Sequence, residues 1–250
     1  MIRAVMFDMG GTLEDIYTDD ASIKATAQSL YNILKSHNIQ CPYSVDELWD
    51  KVFANHQIYK KYAEKTNREL KPEEIWGDYC FKGLDVDRDQ IIACSEEIAH
   101  MWETTYYHRS LRPHVKETLD GLKNDLGLYL SVISNTASLF QVFSTLDEYG
   151  IRDYFEDVTL SSITGYRKPH PYVFEVALRQ AKLKPEECCY VGDTVSRDVE
   201  GPKEKGYAET FQIDSFLTSK RDIGTYKFKP EHKIEDIYEV YTILKAELGK

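Results

Sequence analysis

The residues of this chain best able to do chemistry are polar ones placed at the ends of short apolar runs. Asp8, Ser134 and Asp193 each end such a run, and Lys168 lies in the polar segment Gly-Tyr-Arg-Lys-Pro-His-Pro. Carboxylates are ligands that Mg²⁺ prefers, and a lysine beside a bound cation can neutralise an anion. Together these residues predict a site for Mg²⁺ and an anionic substrate.

Each of these residues has an ordinary structural explanation when it is taken alone. Asp and Ser are favoured in turns and at helix N-caps, and Gly after a strand gives the backbone freedom. The segment Asp-Met-Gly-Gly-Thr that begins at Asp8 is by itself more often a turn than the site of a nucleophile. What favours a functional site is their common position. Three of the four residues fall at the carboxyl ends of predicted strands, and Lys168 lies in the loop after another strand.

Short strands alternating with helices are the elements that would position these residues. An apolar run at residues 2–7 predicts a buried first strand. In the second half of the chain, strand-like runs at residues 128–134, near residue 158 and at 189–191 alternate with helical patterns. Such alternation indicates crossover units, so we expect an α/β fold with a Rossmann-like parallel sheet core. Ligands bind beyond the carboxyl ends of strands in sheets of this kind.

A long helical stretch separates the first predicted strand from the others. Residues 20–107 have helical periodicity, enough for three or four helices, and contain no convincing strand. We therefore expect an inserted all-helical cap domain at residues 15–112. The α/β core would consist of residues 1–14 and 113–250.

Composition and charge narrow the classes of function. The chain has 250 residues, 42% of them hydrophobic, and no apolar run approaches the ~20 residues of a membrane span. A formal charge of −11 argues against nucleic-acid binding, because phosphates along a backbone require a basic surface. The N-terminus lacks a signal-peptide pattern, which favours a cytoplasmic location. The five scattered cysteines predict reduced thiols and no zinc site, and the oligomeric state is left open.

Four segments resemble the four motifs of the haloacid dehalogenase superfamily. They are residues 7–13, Ser134-Asn135, Lys168-Pro169 and residues 192–198. The predicted insertion stands where that family has a helical cap, so the resemblance covers nearly the whole chain. It implies a Mg²⁺-dependent hydrolase that acts on a small phosphorylated metabolite through an aspartyl phosphate at Asp8.

The resemblance also implies catalytic and metal-binding roles. Mg²⁺ would be held by Asp8, the backbone carbonyl of Gly10 and Asp193. Ser134 would donate a hydrogen bond to a phosphoryl oxygen. Lys168 would neutralise the group in transfer as its charge spreads in the transition state.

Four further residues of the motifs would support these. Asp198 would orient either Lys168 or the waters on the metal. The amide of Gly11 and the side chain of Thr12 would complete a cradle for the phosphoryl oxygens. Asn135, beside Ser134, is expected to support the same site.

Gly10 departs from the pattern of the family's phosphatases, which usually carry an Asp two residues after the nucleophile. That Asp is the general acid and base, and such catalysis is typically worth ~10²- to 10⁴-fold in rate. Its loss predicts a substrate with a good leaving group, such as an acyl phosphate, an anhydride or a phenolic ester. Alternatively, Glu14, Asp15 or His56 could replace it, although a His on a polar helix face is usually solvated.

Two other classes of function stay open from the sequence. Dehalogenases of the same superfamily also lack the second Asp, and in such an enzyme Asp8 would attack carbon without a metal. The pair Asp193 and Asp198 favours the magnesium hypothesis, because these carboxylates would otherwise only repel the attacking one. A catalytically weak binding or regulatory protein is the third possibility.

Overall fold

A six-stranded parallel sheet forms the centre of the molecule in the computed structural model, which describes residues 1–249. The strands of the chain are β1 (Ala4–Phe7), β2 (Glu14–Tyr17), β3 (His108–Leu111), β4 (Tyr129–Ser134), β5 (Asp157–Leu160), β6 (Cys188–Gly192), β7 (Glu209–Ile213) and β8 (His232–Ile234). The central sheet has the order β5-β4-β1-β6-β7-β8, and every neighbouring pair is parallel. The predicted α/β fold with a Rossmann-like parallel sheet is thus confirmed.

Helices cover both faces of this sheet and fill the segment between β2 and β3. They are α1 (Asp20–Ser36), α2 (Val45–Thr66), α3 (Pro72–Glu74), α4 (Arg88–Ala93), α5 (Ser95–Thr105), α6 (Val115–Asp120), α7 (Gln141–Glu148), α8 (Ser161–Thr164), α9 (Pro171–Ala181), α10 (Glu200–Lys205), α11 (Thr218–Arg221) and α12 (Tyr238–Glu247). Three π-helical segments (Ile75–Cys80, Gly121–Asp125 and Val195–Val199) and two 3₁₀ turns (Arg152–Tyr154 and Pro185–Glu187) complete the described elements.

Strand β1 shows why its residues form a central strand. All four are fully buried, and their side chains alternate between the two faces of the sheet. Val5 and Phe7 pack into one hydrophobic cluster, whereas Ala4 and Met6 pack into another on the opposite face. A strand buried on both faces reads as a continuous apolar run, which is how it could be found in the sequence.

Helices α1, α2, α4 and α5 and the π-helical segment Ile75–Cys80 pack around a hydrophobic cluster of their own. This cluster includes Leu48, Trp76, Ile98 and Trp102, all buried. Local signals start two of these helices: Ser44 and Glu47 form a reciprocal capping box before α2, and Asp87 caps α4. The insertion therefore has five α-helical segments instead of the predicted three or four.

The antiparallel pair β2–β3 was not predicted from the sequence. The two strands pair Glu14 with Leu111 and Tyr17 with His108, so they form a ribbon at the two ends of the helical insertion. The predicted boundaries after residues 14 and 112 fall at this ribbon. The division into a core and a cap domain stays a prediction.

Two simpler expectations concern membrane spans and cysteines. Within residues 1–249, no helix combines the length and apolar composition needed to cross a bilayer. The five cysteines are free thiols, and four of them are buried.

Candidate active site at the carboxyl edge of the sheet

The site lies where the strand order of the sheet reverses. Strand β1 has β4 and then β5 on one side, and β6, β7 and β8 on the other. Because the chain adds strands outward in opposite directions from this point, a crevice opens beyond the carboxyl end of β1. Asp8 directly follows β1, Ser134 is the last residue of β4, and Asp193 directly follows β6. The backbone N–H of Asp8 donates to the Val191 carbonyl at 2.9 Å, which fixes Asp8 at this edge.

Lys168 forms ion pairs with two of the carboxylates of this site. Its Nζ atom lies 2.7 Å from Asp8 Oδ1 and 2.7 Å from Asp198 Oδ1, and it donates to the Tyr190 hydroxyl at 2.8 Å. Lys168 is 3% exposed. A buried ammonium between two carboxylates stabilises both of them as anions.

Asn135 holds the backbone of Lys168 from the end of β4. Its side-chain Oδ1 accepts from the Lys168 N–H at 2.8 Å, and its Nδ2 donates to the Lys168 carbonyl at 3.1 Å. The loop between α8 and α9 is thereby fixed against the sheet edge. The predicted supporting role of Asn135 takes the form of positioning Lys168.

Asp8, Asp193 and Asp198 form a buried acidic cluster whose carboxylate oxygens lie within 4.8 Å of one another. Within residues 1–249, Asp193 Oδ1 is buried without a hydrogen-bond partner, while its Oδ2 accepts from the Ser215 hydroxyl at 2.5 Å. An unsatisfied buried carboxylate oxygen is costly, and a hard cation satisfies it. The residues present therefore fit Mg²⁺, with Asp8 and Asp193 as carboxylate ligands.

Asp198 has both oxygens engaged by the protein. Its Oδ1 accepts from Lys168, and its Oδ2 accepts from the backbone N–H and the hydroxyl of Thr194 at 3.1 and 2.8 Å. Of the two roles predicted for Asp198, these contacts support the orientation of Lys168.

The pKa values of the three acids follow from their surroundings. Burial, followed by the negative charges of Asp198 and Asp8, raises the pKa of Asp193 to about 8. Burial also raises the pKa of Asp8, against the opposing effect of Lys168. For Asp198, burial acts to raise the pKa, but the charge and hydrogen bond of Lys168 and the two hydrogen bonds from Thr194 together lower it. A bound cation would favour the ionised forms of Asp8 and Asp193.

The loop after β1 is built around Gly11 and Thr12. Gly11 has φ of +93°, and a Cβ there would collide with the Asp193 carboxylate, so only glycine fits. Its N–H donates to the Glu14 carbonyl at 2.8 Å. This amide is therefore already paired within the protein, and its predicted use for a phosphoryl oxygen stays a prediction. The hydroxyl of Thr12 is buried with no partner among the described residues.

The three residues considered as replacements for the missing acid have different surroundings. Glu14 is fully buried, pairs with Arg109, and accepts from the Tyr149 hydroxyl at 2.9 Å. Burial raises the pKa of Glu14. The Asp15 side chain is 55% exposed and pairs with Arg112 at 3.0 Å. Neither carboxyl group lines the cavity described next.

A cavity of about 130 Å³ covers the site, with walls from both the sheet edge and the helical insertion. The sheet edge contributes Asp8, Gly10, Ser134 and Lys168, and the insertion contributes His56, Tyr59, Lys60, Trp102 and Tyr107. The insertion is thus in a position to select the ligand.

His56 lines the cavity. Its position on a polar helix face had instead suggested a solvated side chain. Its ring lies 4.6 Å from the Trp102 ring, and its Nδ1 is buried without a partner in the described residues. Burial, followed by the charges of Lys60 and Arg167, lowers the pKa of His56 to about 4. The imidazole is therefore neutral at pH 7.

A group of cations at the cavity mouth was missed by the sequence analysis. Lys60, Arg167, Arg197 and Arg221 line both the first cavity and an adjoining one of about 520 Å³. These residues come from separate segments of the chain, so no local spacing could have revealed the group.

Comparisons with known proteins agree with this geometry. A family model described as haloacid dehalogenase-like hydrolase matches residues 2–206. A glyceraldehyde 3-phosphate phosphatase from Pyrococcus furiosus is 25% identical over 99% of this chain and 95% of its own. The pyrophosphatase PpaX from Oceanobacillus iheyensis is 26% identical over 97% of each chain. A solved 2-haloacid dehalogenase from Pseudomonas syringae pv. Tomato DC3000, 21% identical, has the same fold with a TM-score of 0.69 over 99% of this chain and 100% of its own.

The family match covers both the sheet edge that carries the acidic cluster and the helical insertion above it. The chain therefore belongs to the haloacid dehalogenase-like hydrolases.

Proposed function

We propose that this hydrolase is a Mg²⁺-dependent phosphatase of small phosphorylated metabolites, and that Asp8 is its nucleophile. The observation that carries the proposal is the buried cluster of Asp8, Asp193 and Asp198, in which Asp193 Oδ1 has no partner among the described residues. Two relatives named as phosphatases, from Pyrococcus furiosus and Oceanobacillus iheyensis, support the same class of reaction.

Asp8, the backbone carbonyl of Gly10 and Asp193 would hold the ion. When bound, Mg²⁺ supplies positive charge between the Asp8 carboxylate and an incoming phosphate, two groups that otherwise repel each other. Asp198 keeps Lys168 directed at Asp8 through its 2.7 Å contact.

The chain's own residues account for the proposed reaction. A carboxylate oxygen of Asp8 attacks phosphorus, the bond from phosphorus to the leaving oxygen breaks, and an aspartyl phosphate forms. Lys168 neutralises the phosphoryl oxygens, and Ser134, at the end of β4, donates a hydrogen bond to one of them. Water then cleaves the aspartyl phosphate and regenerates Asp8.

We further propose that turnover is confined to good leaving groups. Gly10 has no acid to protonate the departing oxygen, Glu14 is committed to Arg109 and Tyr149, and the pKa of His56 is too low for an efficient acid at pH 7. Acyl phosphates, anhydrides and aryl esters leave without such help. The relative named as a pyrophosphatase is named for an anhydride substrate.

The proposal is tested by measuring phosphate release from aryl and alkyl phosphates, with and without Mg²⁺. We expect the wild type to hydrolyse aryl phosphates only when Mg²⁺ is present. Asp8→Asn should abolish release, whereas Asp15→Asn, which removes an exposed carboxylate, should leave it unchanged. The intact mass of wild-type enzyme quenched during turnover should be greater by one phosphoryl group.

Other outcomes would overturn the proposal in distinct ways. Halide release from 2-haloacids without metal would assign the attack of Asp8 to carbon. No turnover of either substrate class, with Mg²⁺ bound, would indicate a binding or regulatory protein.

A further inference from the structure

We infer that the substrate carries a second anionic group, a phosphate or a carboxylate, and that Lys60, Arg197 and Arg221 bind it at the cavity mouth. This inference rests on the proposed function, because it narrows the substrate class of the same site. It concerns the end of the substrate away from the phosphoryl group in transfer.

The three cations have little compensation from the protein. Arg197, with its side chain only 14% exposed, has a single ion pair, to Glu64 at the long distance of 3.7 Å. Within residues 1–249, neither Arg221, which is partly buried, nor Lys60, which is exposed at the cavity mouth, makes an ion pair. Withdrawing a guanidinium from water without a partner is costly, so such an arrangement suits an anion supplied from outside.

The positive charge is concentrated by neighbouring residues as well. Burial and then the charges of Arg221 and Arg167 lower the pKa of Arg197 to about 10. This occurs in a chain whose formal charge is −11, with 42 acidic residues available to pair with the cations. The excess of positive charge is therefore local to the cavity mouth.

These cations are distinct from those committed to the reacting phosphoryl group. Lys168 is held between Asp8 and Asp198, and Arg167 is paired with the buried Glu69. Lys168 lines both the small cavity over the acids and the larger one at the mouth. One molecule with anions at both ends can therefore occupy the two adjoining cavities.

The three cations also come from two different parts of the fold. Lys60 belongs to α2 in the helical insertion, whereas Arg197 lies in the π-helical segment after β6 and Arg221 ends α11. Guanidinium groups bind both carboxylates and phosphates through paired hydrogen bonds. The geometry thus fits either of these anions, and the experiment separates them.

The test measures binding without turnover, by calorimetry on Asp8→Asn protein with saturating Mg²⁺. The probes are propylphosphonate, with one anionic end, and 3-phosphonopropanoate and propane-1,3-diphosphonate, with two. We expect the second anion to tighten binding by about tenfold or more, as for a charge-assisted contact. The better of the two dianions identifies the carboxylate or phosphate class.

Variants made in the same background assign the gain to these residues. Arg221→Met and Lys60→Met should remove most of the gain and weaken the binding of propylphosphonate much less than that of the two dianions. Lys61→Met, which removes an exposed charge beside Lys60 but outside both cavities, should preserve it. Circular dichroism of each variant establishes that it is folded.

Equal binding of all three probes would overturn the inference, as would an equal loss for every probe in Arg221→Met. This result is independent of the phosphate-release assay. A clear gain from the second anion in a protein that releases no phosphate would support the subsite and contradict the proposed hydrolysis.

Discussion

Gly10 lines the cavity without a side chain, and its surroundings define what an added side chain would meet. A Cβ at this position would lie 3.1 Å from Ile16 Cδ1 and 3.7 Å from Glu14 Oε1. The first contact involves the flexible end of a side chain. The second would place any new acid next to a carboxyl group that already pairs with Arg109.

Replacing Gly10 with Asp should therefore extend hydrolysis to alkyl phosphates. The new carboxyl group supplies the missing proton, and its neighbour Glu14 should raise its pKa, which suits a general acid. We expect the ratio of kcat/KM for alkyl over aryl phosphates to rise by about 10- to 100-fold. Gly10→Asn is the matched control, and an equal rise in that variant would contradict a role for proton transfer.

The sequence could predict the residues of the site that sit at strand ends, but not those that depend on tertiary packing. Asp8 and Asp193 were placed because each follows a buried apolar run. Lys60, Arg197 and Arg221 are near one another only because α2, the segment after β6 and α11 meet above the sheet edge. Both Lys60 and Lys61 are exposed, and nothing in the local sequence shows that Lys60 lines the two cavities while Lys61 lines neither.

The helices of the insertion are joined to the sheet-bearing part by buried polar contacts as well as by the ribbon β2–β3. Glu96 on α5 accepts from the Ser138 hydroxyl at 2.5 Å and from the Leu139 N–H at 3.0 Å, just before α7. Glu69 accepts from the Ser161 hydroxyl at 2.8 Å in a similar way. These carboxylates position the wall that the insertion contributes to the cavity.

Glu96→Ala should lower the free energy of unfolding by about 1–3 kcal/mol, because it leaves donors before α7 without their acceptor. The adjacent Glu97 is a suitable control, since it makes an exposed pair with His37, and Glu97→Ala should cost less than about 1 kcal/mol. Denaturant unfolding monitored by circular dichroism measures both. Similar costs for the two variants would show that the Glu96 contacts add little to stability.

Among the secondary-structure elements, the strands buried on both faces could be predicted from the sequence, whereas the ribbon β2–β3 could not. The apolar runs that became β1, β4 and β6 could be found because every position in them except Tyr129 is buried. Strands β2 and β3 are four residues each, contain charged residues, and find their partner far away in the sequence. A local pattern carries no information about such a pairing.

At the scale of the whole molecule, we expect the buried acids to make the free energy of unfolding depend on a bound cation. Asp8, Asp193 and Asp198 repel one another in the folded protein, but they are apart and solvated when the chain unfolds. A ligand that binds only the folded state stabilises it, by about 2.7 kcal/mol at a concentration 100 times its Kd. Mg²⁺ should therefore affect unfolding of the entire chain.

Thermal unfolding should accordingly shift to higher temperature with Mg²⁺ and return with a chelator. The shift should decrease as the pH falls below about 8, because the raised pKa of Asp193 means that a proton then competes with the cation. Scanning calorimetry across pH 6–9 measures this trend. Asp193→Asn should lose the shift and Asp15→Asn should keep it, whereas an unchanged shift in Asp193→Asn would argue for a different ion site.

The cavity mouth has the opposite sign to the molecule around it, and this contrast governs how ligands arrive and depart. With a formal charge of −11 spread over the chain, a dissolved anion is repelled from most of the surface and attracted at the entrance lined by Lys60, Arg197 and Arg221. Productive collisions are thus focused on one small area. If the proposed hydrolysis takes place, the product without its phosphoryl group carries less negative charge than the substrate, so the positive potential at the entrance should attract it less strongly.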